Sequence, residues 1–285
     1  MSTRRTLARE IAADGIALHS GKTVHMTLSP AGAGTGVVFR RADKDNAAIP
    51  ARYDAVSETN LGTVIGSGDV KVGVIEHLMA AVAGLGIDDM IVTVDGPEPP
   101  ILDGDALSYL KLLEEAGTKE QPGAKHAIKV TRPVEVAIKD ARIRLLPSER
   151  PEYSYELDYS NTKAIGKQSF MMTLSHDSFA RDIAPARTFG FVHELEYLKS
   201  IDRGHGASLD NTLAIQGDEV LNKGLMRFPD EFVRHKILDA IGDMALAGAP
   251  LIARFEGVKS GHGTNNAVLR ALFADPANYM TIDLA

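Results

Sequence analysis

The chain has no cysteine among its 285 residues. Disulfides and thiolate metal ligands are therefore excluded, any zinc would have to be held by His, Asp or Glu, and a reducing compartment is permitted. Long hydrophobic runs are also missing. No stretch is long and apolar enough to span a bilayer, and the opening MSTRRTLAREIAADGIAL carries positive charge without the apolar core of a secretory signal. Nor is there an excess of basic charge: 31 Lys and Arg against 38 Asp and Glu give a net charge of −7. That balance argues against a general nucleic-acid binder, although a local basic patch could still hold a phosphate group. What is present is a 44% hydrophobic chain long enough for two ordinary domains with sizeable cores. A cytoplasmic enzyme or binding protein is expected, with loose or transient membrane contact left open.

Alternating segments such as KTVHMTLSP and GVVFRRAD predict antiparallel strands near the start. VKVGVIEHLMAAVAGLGIDDMIVTVDG reads as a strand, a small-residue helix ended by Gly84 or Gly86, and a second strand. DGDALSYLKLLEEAG is a further helix, capped by Asp103 or Asp105 and followed by Gly117. TKEQPGAKH is polar and broken by Pro122 and Gly123. The domain boundary is placed there: a first domain over 1–120, a linker over 121–126 and a second domain over 127–285. Strands then begin again in AIKVTRPVEVAIKD, ARIRLLP and EYSYELDYS, and helices follow at 193–200, 229–247 and about 260–274. Each half thus runs from strands to a histidine-bearing helix with an apolar run, which suggests two copies of one unit. Strands grouped before helices favour an α+β fold over a parallel βαβ sheet.

The helix in FVRHKILDAIGD carries the chemistry. With about 100° per residue, His235 and Asp239 lie one turn apart on one face, Asp243 drifts slightly further round, and Val233, Ile237, Ile241 and Met244 form the opposing stripe. A nitrogen and an oxygen donor one turn apart suit half a metal site, or equally an i,i+4 salt bridge. A catalytic zinc typically takes three protein ligands and leaves a position for water. His77 is the best third candidate, because Glu76 beside it is placed to take a proton. A buried histidine at a helix start is the plainer reading of the same pair. His262, between two glycines at the mouth of a helix, could bind an anion or simply be structural, and a hydrogen bond donated to Asp243 would favour its protonated form. Thr188 in RDIAPARTFGF is a turn residue whose hydroxyl could donate to an oxyanion.

Taken together and in order, VIEHLMAAVAGLGIDD, PEPPILDGDA, ARTFGF, MRFPDEFVRHKILDAIGD and KSGHGTNN resemble the UDP-3-O-acyl-N-acetylglucosamine deacetylases, the zinc amidases of lipid A synthesis. GIALHSGKTVHMTLSPA matches the family's opening, and the resemblance covers essentially the whole chain. It implies two similar α+β domains, each a sheet with helices, the helical layers packed together and the metal in the cleft between them. It implies His77, His235 and Asp239 as ligands of one Zn2+, with Fe2+ an acceptable substitute. Glu76 is then the general base, and His262, supported by Asp243, protonates the leaving amine. Thr188 holds the carbonyl oxygen, and Lys236 adds positive charge nearby. The substrate is a UDP-linked acylated glucosamine whose acyl chain enters a passage between ARTFGF and the long helix, walled by Leu195, Ala207 and Ala214 with Phe189 and Phe191. Lys259 is a candidate for the diphosphate and His19 for the nucleotide.

Several positions depart from the family pattern. Val74 stands where threonine is common, Asp89 where asparagine is usual, Asp105 for a serine, and Gly263 and Thr264 for Ala-Leu. Two other readings compete with the hydrolase. A non-catalytic, zinc-stabilised sugar-nucleotide binding protein of the same fold would have no use for Glu76. A zinc peptidase would carry HExxH, whereas Leu78, Met79 and Ala80 follow His77.

Overall fold

Alternation builds the first sheet. In the computed structural model, which describes residues 2–284, Val24, Met26 and Leu28 are buried while the residues between them turn outward, the period of a half-buried strand. The first half contains β1 (Thr3–Leu7), β2 (Ile11–Ile16), β3 (Thr23–Pro30), β4 (Val37–Arg41), β5 (Ala47–Pro50), β6 (Val56–Glu58), β7 (Val64–Ser67), β8 (Val70–Val72), α1 (Glu76–Leu85), β9 (Met90–Val94) and α2 (Leu107–Ala116). After β10 (Thr118–Ala124) come β11 (His126–Val130), β12 (Val134–Ile138), β13 (Ala141–Leu146), β14 (Glu152–Tyr159), β15 (Gly166–Thr173) and the helical turn α3 (His176–Ser178). The chain closes with β16 (Phe189–Phe191), α4 (Leu195–Ser200), β17 (Leu213–Gln216), β18 (Glu219–Val220), α5 (Glu231–Ala245), β19 (Leu251–Ile252), β20 (Arg254–Val258), α6 (His262–Ala274) and β21 (Tyr279–Asp283).

The two five-stranded sheets have one topology. The first runs β2-β3-β9-β4-β5 and the second β12-β13-β20-β14-β15. In each, the strand added last enters the middle, antiparallel to one neighbour and parallel to the other. That strand is preceded by one helix and followed by another, α1 and α2 in the first copy, α5 and α6 in the second. Even the excursions match: a small three-stranded sheet, β6-β7-β8 or β16-β17-β18, is inserted after the fourth strand of each copy. The repeat suggested by the order of elements is therefore present in the pairing pattern too.

Helices α5 and α6 pack on the second sheet, α2 packs on β2, and α1 packs against both α2 and α5. Helix α1 is buried nearly all round, which explains its small residues. Gly84 lies inside it, where an added Cβ would come within 2.2 Å of Phe179, and Gly86 ends it in the left-handed region at φ 71°. Helix α5 departs from expectation in one respect. Its polar stripe does not face water: His235, Asp239 and Asp243 are as buried as the apolar face. Much of the expected linker over 121–126 is strand, since Thr118–Ala124 pair antiparallel with β1. Among the described residues no helix is long and apolar enough to cross a membrane.

Candidate metal centre and active site

A glycine brings the two halves into register. An added Cβ on Gly242 of α5 would lie 2.0 Å from the carbonyl oxygen of Glu76, so only glycine allows α1 and α5 to approach this closely. The contact sets Glu76 and His77, at the start of α1, opposite the polar stripe of α5. Immediately upstream, Val74 holds φ at 53°, a left-handed conformation costly for a β-branched residue. Thus the departure at Val74 coincides with local backbone strain beside the site.

The ligand atoms of His77, His235 and Asp239 all lie within 4.8 Å of one another, and all three residues are buried. Asp239 Oδ1 is 3.3 Å from His235 Nε2 and 3.8 Å from His77 Nε2. His235 Nδ1–H donates to the Ala186 carbonyl at 3.1 Å, which fixes the tautomer and leaves Nε2 as a lone pair aimed at the cluster. Asp239 Oδ2 accepts from Lys236 Nζ at 2.9 Å, whereas Oδ1 is buried without a hydrogen-bond donor. Burial lowers the pKa of His77 to about 3 and also lowers that of His235, so both rings are neutral near pH 7. Burial works to raise Asp239, but in the acid range where it would take up a proton the then-protonated His235, with Lys236, His262 and His77, outweighs burial and holds the carboxyl well below its usual range. Two neutral imidazole nitrogens and one orphaned carboxylate oxygen, all dry, form a donor set suited to a divalent cation.

Glu76 and His262 flank the cluster. The Thr63 amide donates to Glu76 Oε2 at 2.9 Å, and burial pushes the Glu76 carboxyl up to about 7, with the charge of His262 opposing. His262 Nδ1–H donates to Asp243 Oδ2 at 2.8 Å. Burial favours the neutral ring of His262, but Asp243 and Glu76 overcome it and raise the ring to about 10. Asn265 Nδ2 donates to the same Asp243 oxygen at 2.7 Å, and the Thr63 hydroxyl donates to the other at 2.5 Å. His262 Nε2 then faces Glu76 Oε1 across 4.0 Å. That separation is too long for a direct hydrogen bond and leaves room for each group to address a different atom of one reacting centre. A protonated imidazole and a carboxylate titrating near neutrality are an acid and a base held apart.

Lys236 borders the same space through Asp239, and Thr188 is near it along the chain. Thr188 is two residues beyond Ala186, the acceptor of His235, and precedes Phe189, whose ring centroid is 6.2 Å from that of His235. Burial works against the charge on Lys236, but Asp239 and Tyr155 outweigh it and raise its pKa. The expected acyl-wall residues all belong to the second excursion. Phe189 and Phe191 are on β16, and Ala214 is opposite Gly190 on β17. Leu195 opens α4, and half-buried Ala207 lies between α4 and β17. Tyr159 packs against both phenylalanines at 6.3 and 5.6 Å between ring centroids. His19 is buried, with Nε2 donating to the Leu61 carbonyl at 3.0 Å and Nδ1 without a partner. Lys259 is exposed and already faces Asp140 at 3.5 Å and Asp158 at 3.7 Å, so a phosphate would have to compete with two carboxylates for it.

The remaining departures from the family pattern have local partners. Asp89 makes a bidentate pair with Arg4 at 2.8 and 2.7 Å, a fork that an asparagine could not match in charge. Asp105 accepts from the Ser108 amide at 3.0 Å, capping α2, and also pairs with Arg227. Thr264 Oγ1 accepts from the Gly261 amide at 2.9 Å at the start of α6, and an added Cβ on Gly263 would be 3.3 Å from Thr59 Oγ1. Thr63 and Asn265 are the site residues that sequence reasoning missed. Asn265 had a signal, one helical turn after His262; Thr63, in a loop without periodicity, had none.

The whole-chain relationships agree with this geometry. A family model described as UDP-3-O-acyl N-acetylglycosamine deacetylase matches residues 4–274. A UDP-3-O-acyl-N-acetylglucosamine deacetylase of Phenylobacterium zucineum (strain HLK1) is 46% identical over 266 residues, covering 92% of this chain and 90% of that protein. With the match running through both copies of the fold and across every residue of the buried cluster, the chain belongs to the UDP-3-O-acyl N-acetylglycosamine deacetylase family.

Proposed function

We infer that this protein removes the acetyl group from a UDP-3-O-(3-hydroxyacyl)-N-acetylglucosamine, a metal-dependent amide hydrolysis in lipid A biosynthesis. The observation that carries this reading is the opposed pair Glu76 and His262, 4.0 Å apart beside three desolvated ligand atoms. His77, His235 and Asp239 would hold the ion, with Zn2+ proposed and Fe2+ chemically acceptable. When bound, the ion supplies Lewis acidity to the amide carbonyl and to the attacking water.

The chain's own residues handle the protons. Glu76 Oε1 takes a proton from the water as its oxygen bonds to the acetyl carbon. Lys236 and the Thr188 hydroxyl stabilise the carbonyl oxygen as it becomes negative. His262 gives its Nε2 proton to the nitrogen as the C–N bond breaks, releasing acetate and the free amine, and Asp243 stabilises the imidazolium beforehand. Phe189, Phe191, Leu195, Ala207 and Ala214 are proposed to line the acyl passage, while His19 and Lys259 are proposed for the nucleotide end. The units over 1–120 and 127–285 are proposed as the two domains, with residues 121–126 joining them. A cytoplasmic location with transient membrane contact suits a substrate with both a nucleotide and an acyl chain.

The test measures bound metal and acetate release from the UDP-acyl-sugar for the parent protein and Glu76→Ala. Release by the parent, and its loss in the variant with metal retained, is the expected result. Tight metal binding by a parent that releases no acetate would favour the non-catalytic sugar-nucleotide binder instead.

A further inference from the structure

We propose that Thr63 is a positioning residue that holds the base and the acid in mutual register, a role that rests on the deacetylase reading above. Its backbone and its side chain serve different partners. The amide donates to Glu76 Oε2 at 2.9 Å, and the hydroxyl donates to Asp243 Oδ1 at 2.5 Å. Thr63 is 1% exposed, so water does not compete readily for either bond.

At Glu76 the consequence is a choice of oxygen. With Oε2 engaged by Thr63, Oε1 is the one left to accept a proton, and Oε1 is the oxygen that faces His262 Nε2. At Asp243 the consequence is a fixed plane. Thr63 takes one oxygen, while His262 and Asn265 share the other, so the carboxylate cannot rotate without losing a charge-assisted bond. Glu76 comes from the first half of the chain and His262 from the second. Thr63 ties the two together through Asp243, and a shift of either stretches one of its two bonds.

The loop is built to deliver this residue. Leu61 and Gly62 both have positive φ, at 63° and 149°, and the left-handed backbone of Leu61 is unfavourable for a residue with a Cβ. His19 anchors it by donating to the Leu61 carbonyl at 3.0 Å. A loop that only needed closing would use the amide bond of Thr63; the hydroxyl bond to Asp243 serves the acid.

The experiment compares the parent with Thr63→Val, which keeps shape and amide but loses the hydroxyl, and with Thr63→Ser, which keeps both donors. Thr63→Ala replaces the valine variant if that fails to fold. Three quantities are read: kcat and KM for acetate release at matched metal content, melting temperature, and the ring-nitrogen NMR shifts of His262 in histidine-labelled protein with and without metal. Loss of a hydrogen bond to a charged group predicts a kcat at least about tenfold lower in Thr63→Val, KM within about twofold, moved His262 shifts, and recovery of kcat and of the shifts by Thr63→Ser. Parental kcat and unmoved His262 shifts in Thr63→Val overturn the proposal. So does an equal loss in valine and serine variants that tracks melting temperature, which would reduce Thr63 to a loop anchor. A parent that releases no acetate would instead defeat the deacetylase reading, and the His262 shifts alone would then decide the role of Thr63.

Discussion

Asp243→Asn isolates charge from shape at the acid. The amide can turn its oxygen toward His262 and Asn265 and its amino group toward the Thr63 hydroxyl, whose oxygen accepts, so the three contacts at Asp243 keep their geometry. What disappears is the negative charge. Asp243 is the largest of the influences raising His262 to about 10, and a hydrogen bond to a charged group contributes about 1.5–3 kcal/mol. At about 1.4 kcal/mol per pKa unit, the ring should fall to near 8. His262 must be protonated to act, so activity is lost as pH rises through its pKa; Glu76 must be ionised, so activity is gained as pH rises through about 7. The assay is the pH profile of kcat/KM, whose two limbs belong to a coupled pair. A bound cation lowers both limbs in parent and variant alike, leaving their difference intact. The alkaline limb of Asp243→Asn should move about two pH units toward neutrality, costing about tenfold more activity at pH 9 than at pH 7. An alkaline limb that stays where the parent has it refutes the assignment of His262 as the acid. The same linkage governs stability: a raised imidazole stabilises the fold below its unfolded value of 6.5 and loses that contribution as pH rises through about 10.

Glu76→Gln should lower kcat by about a hundredfold or more and flatten the acid limb, with metal content unchanged by elemental analysis. Because burial raises the Glu76 carboxyl to about 7 from 4.5, its ionised form destabilises the metal-free fold as pH climbs through that window. Metal-free Glu76→Gln should therefore melt above the parent at pH 8, with the gap closing toward pH 4.5; a constant gap would contradict the burial argument. Chelation should lower the melting temperature of the parent, since an ion held by His77, His235 and Asp239 stabilises only the folded state, and readdition of zinc should restore it. In Gly242→Ala the new methyl would lie 2.0 Å from the Glu76 carbonyl oxygen; overpacking of this kind costs about 1–3 kcal/mol. Denaturant unfolding and metal affinity should both worsen, and retention of both would mean that α1 and α5 have freedom to separate.

Much of the site was legible because its residues come in short, stereotyped strings. Glu76 with His77, and His235 with Asp239 and Asp243, are neighbours along single helices, where spacing alone predicts a shared face. That the two faces meet could not be read from either string; it depends on a glycine at 242 and on the packing of α1 against α5. Thr63 escaped for a related reason, since its partners are 13 and 180 residues away. The strand Thr118–Ala124 was hidden differently. Its polar, Pro- and Gly-containing sequence lacks a buried face, and it is a strand because β1 supplies an edge to pair with. The helices over 229–247 and 260–274 were clear, because long periodic segments with end signals are the most readable elements. β6–β8 and β16–β18 were not, each strand having four residues or fewer.

The matched insertion points divide labour within the molecule. Strand order and the helix bracketing of the central strand are common to both copies, whereas the excursions over 51–75 and 174–230 leave from the same place and each carry a three-stranded sheet, but differ in length and in the sense of their first strand pair. One delivers Thr63 to the base and the other delivers Thr188, Phe189 and the acyl-wall candidates. An ancestral gene encoding a single copy could have duplicated and kept its framework while these two branches diverged freely. Changes of length between relatives should therefore accumulate in the branches, and selectivity for one chain length over another should be transplantable with residues 174–230 alone.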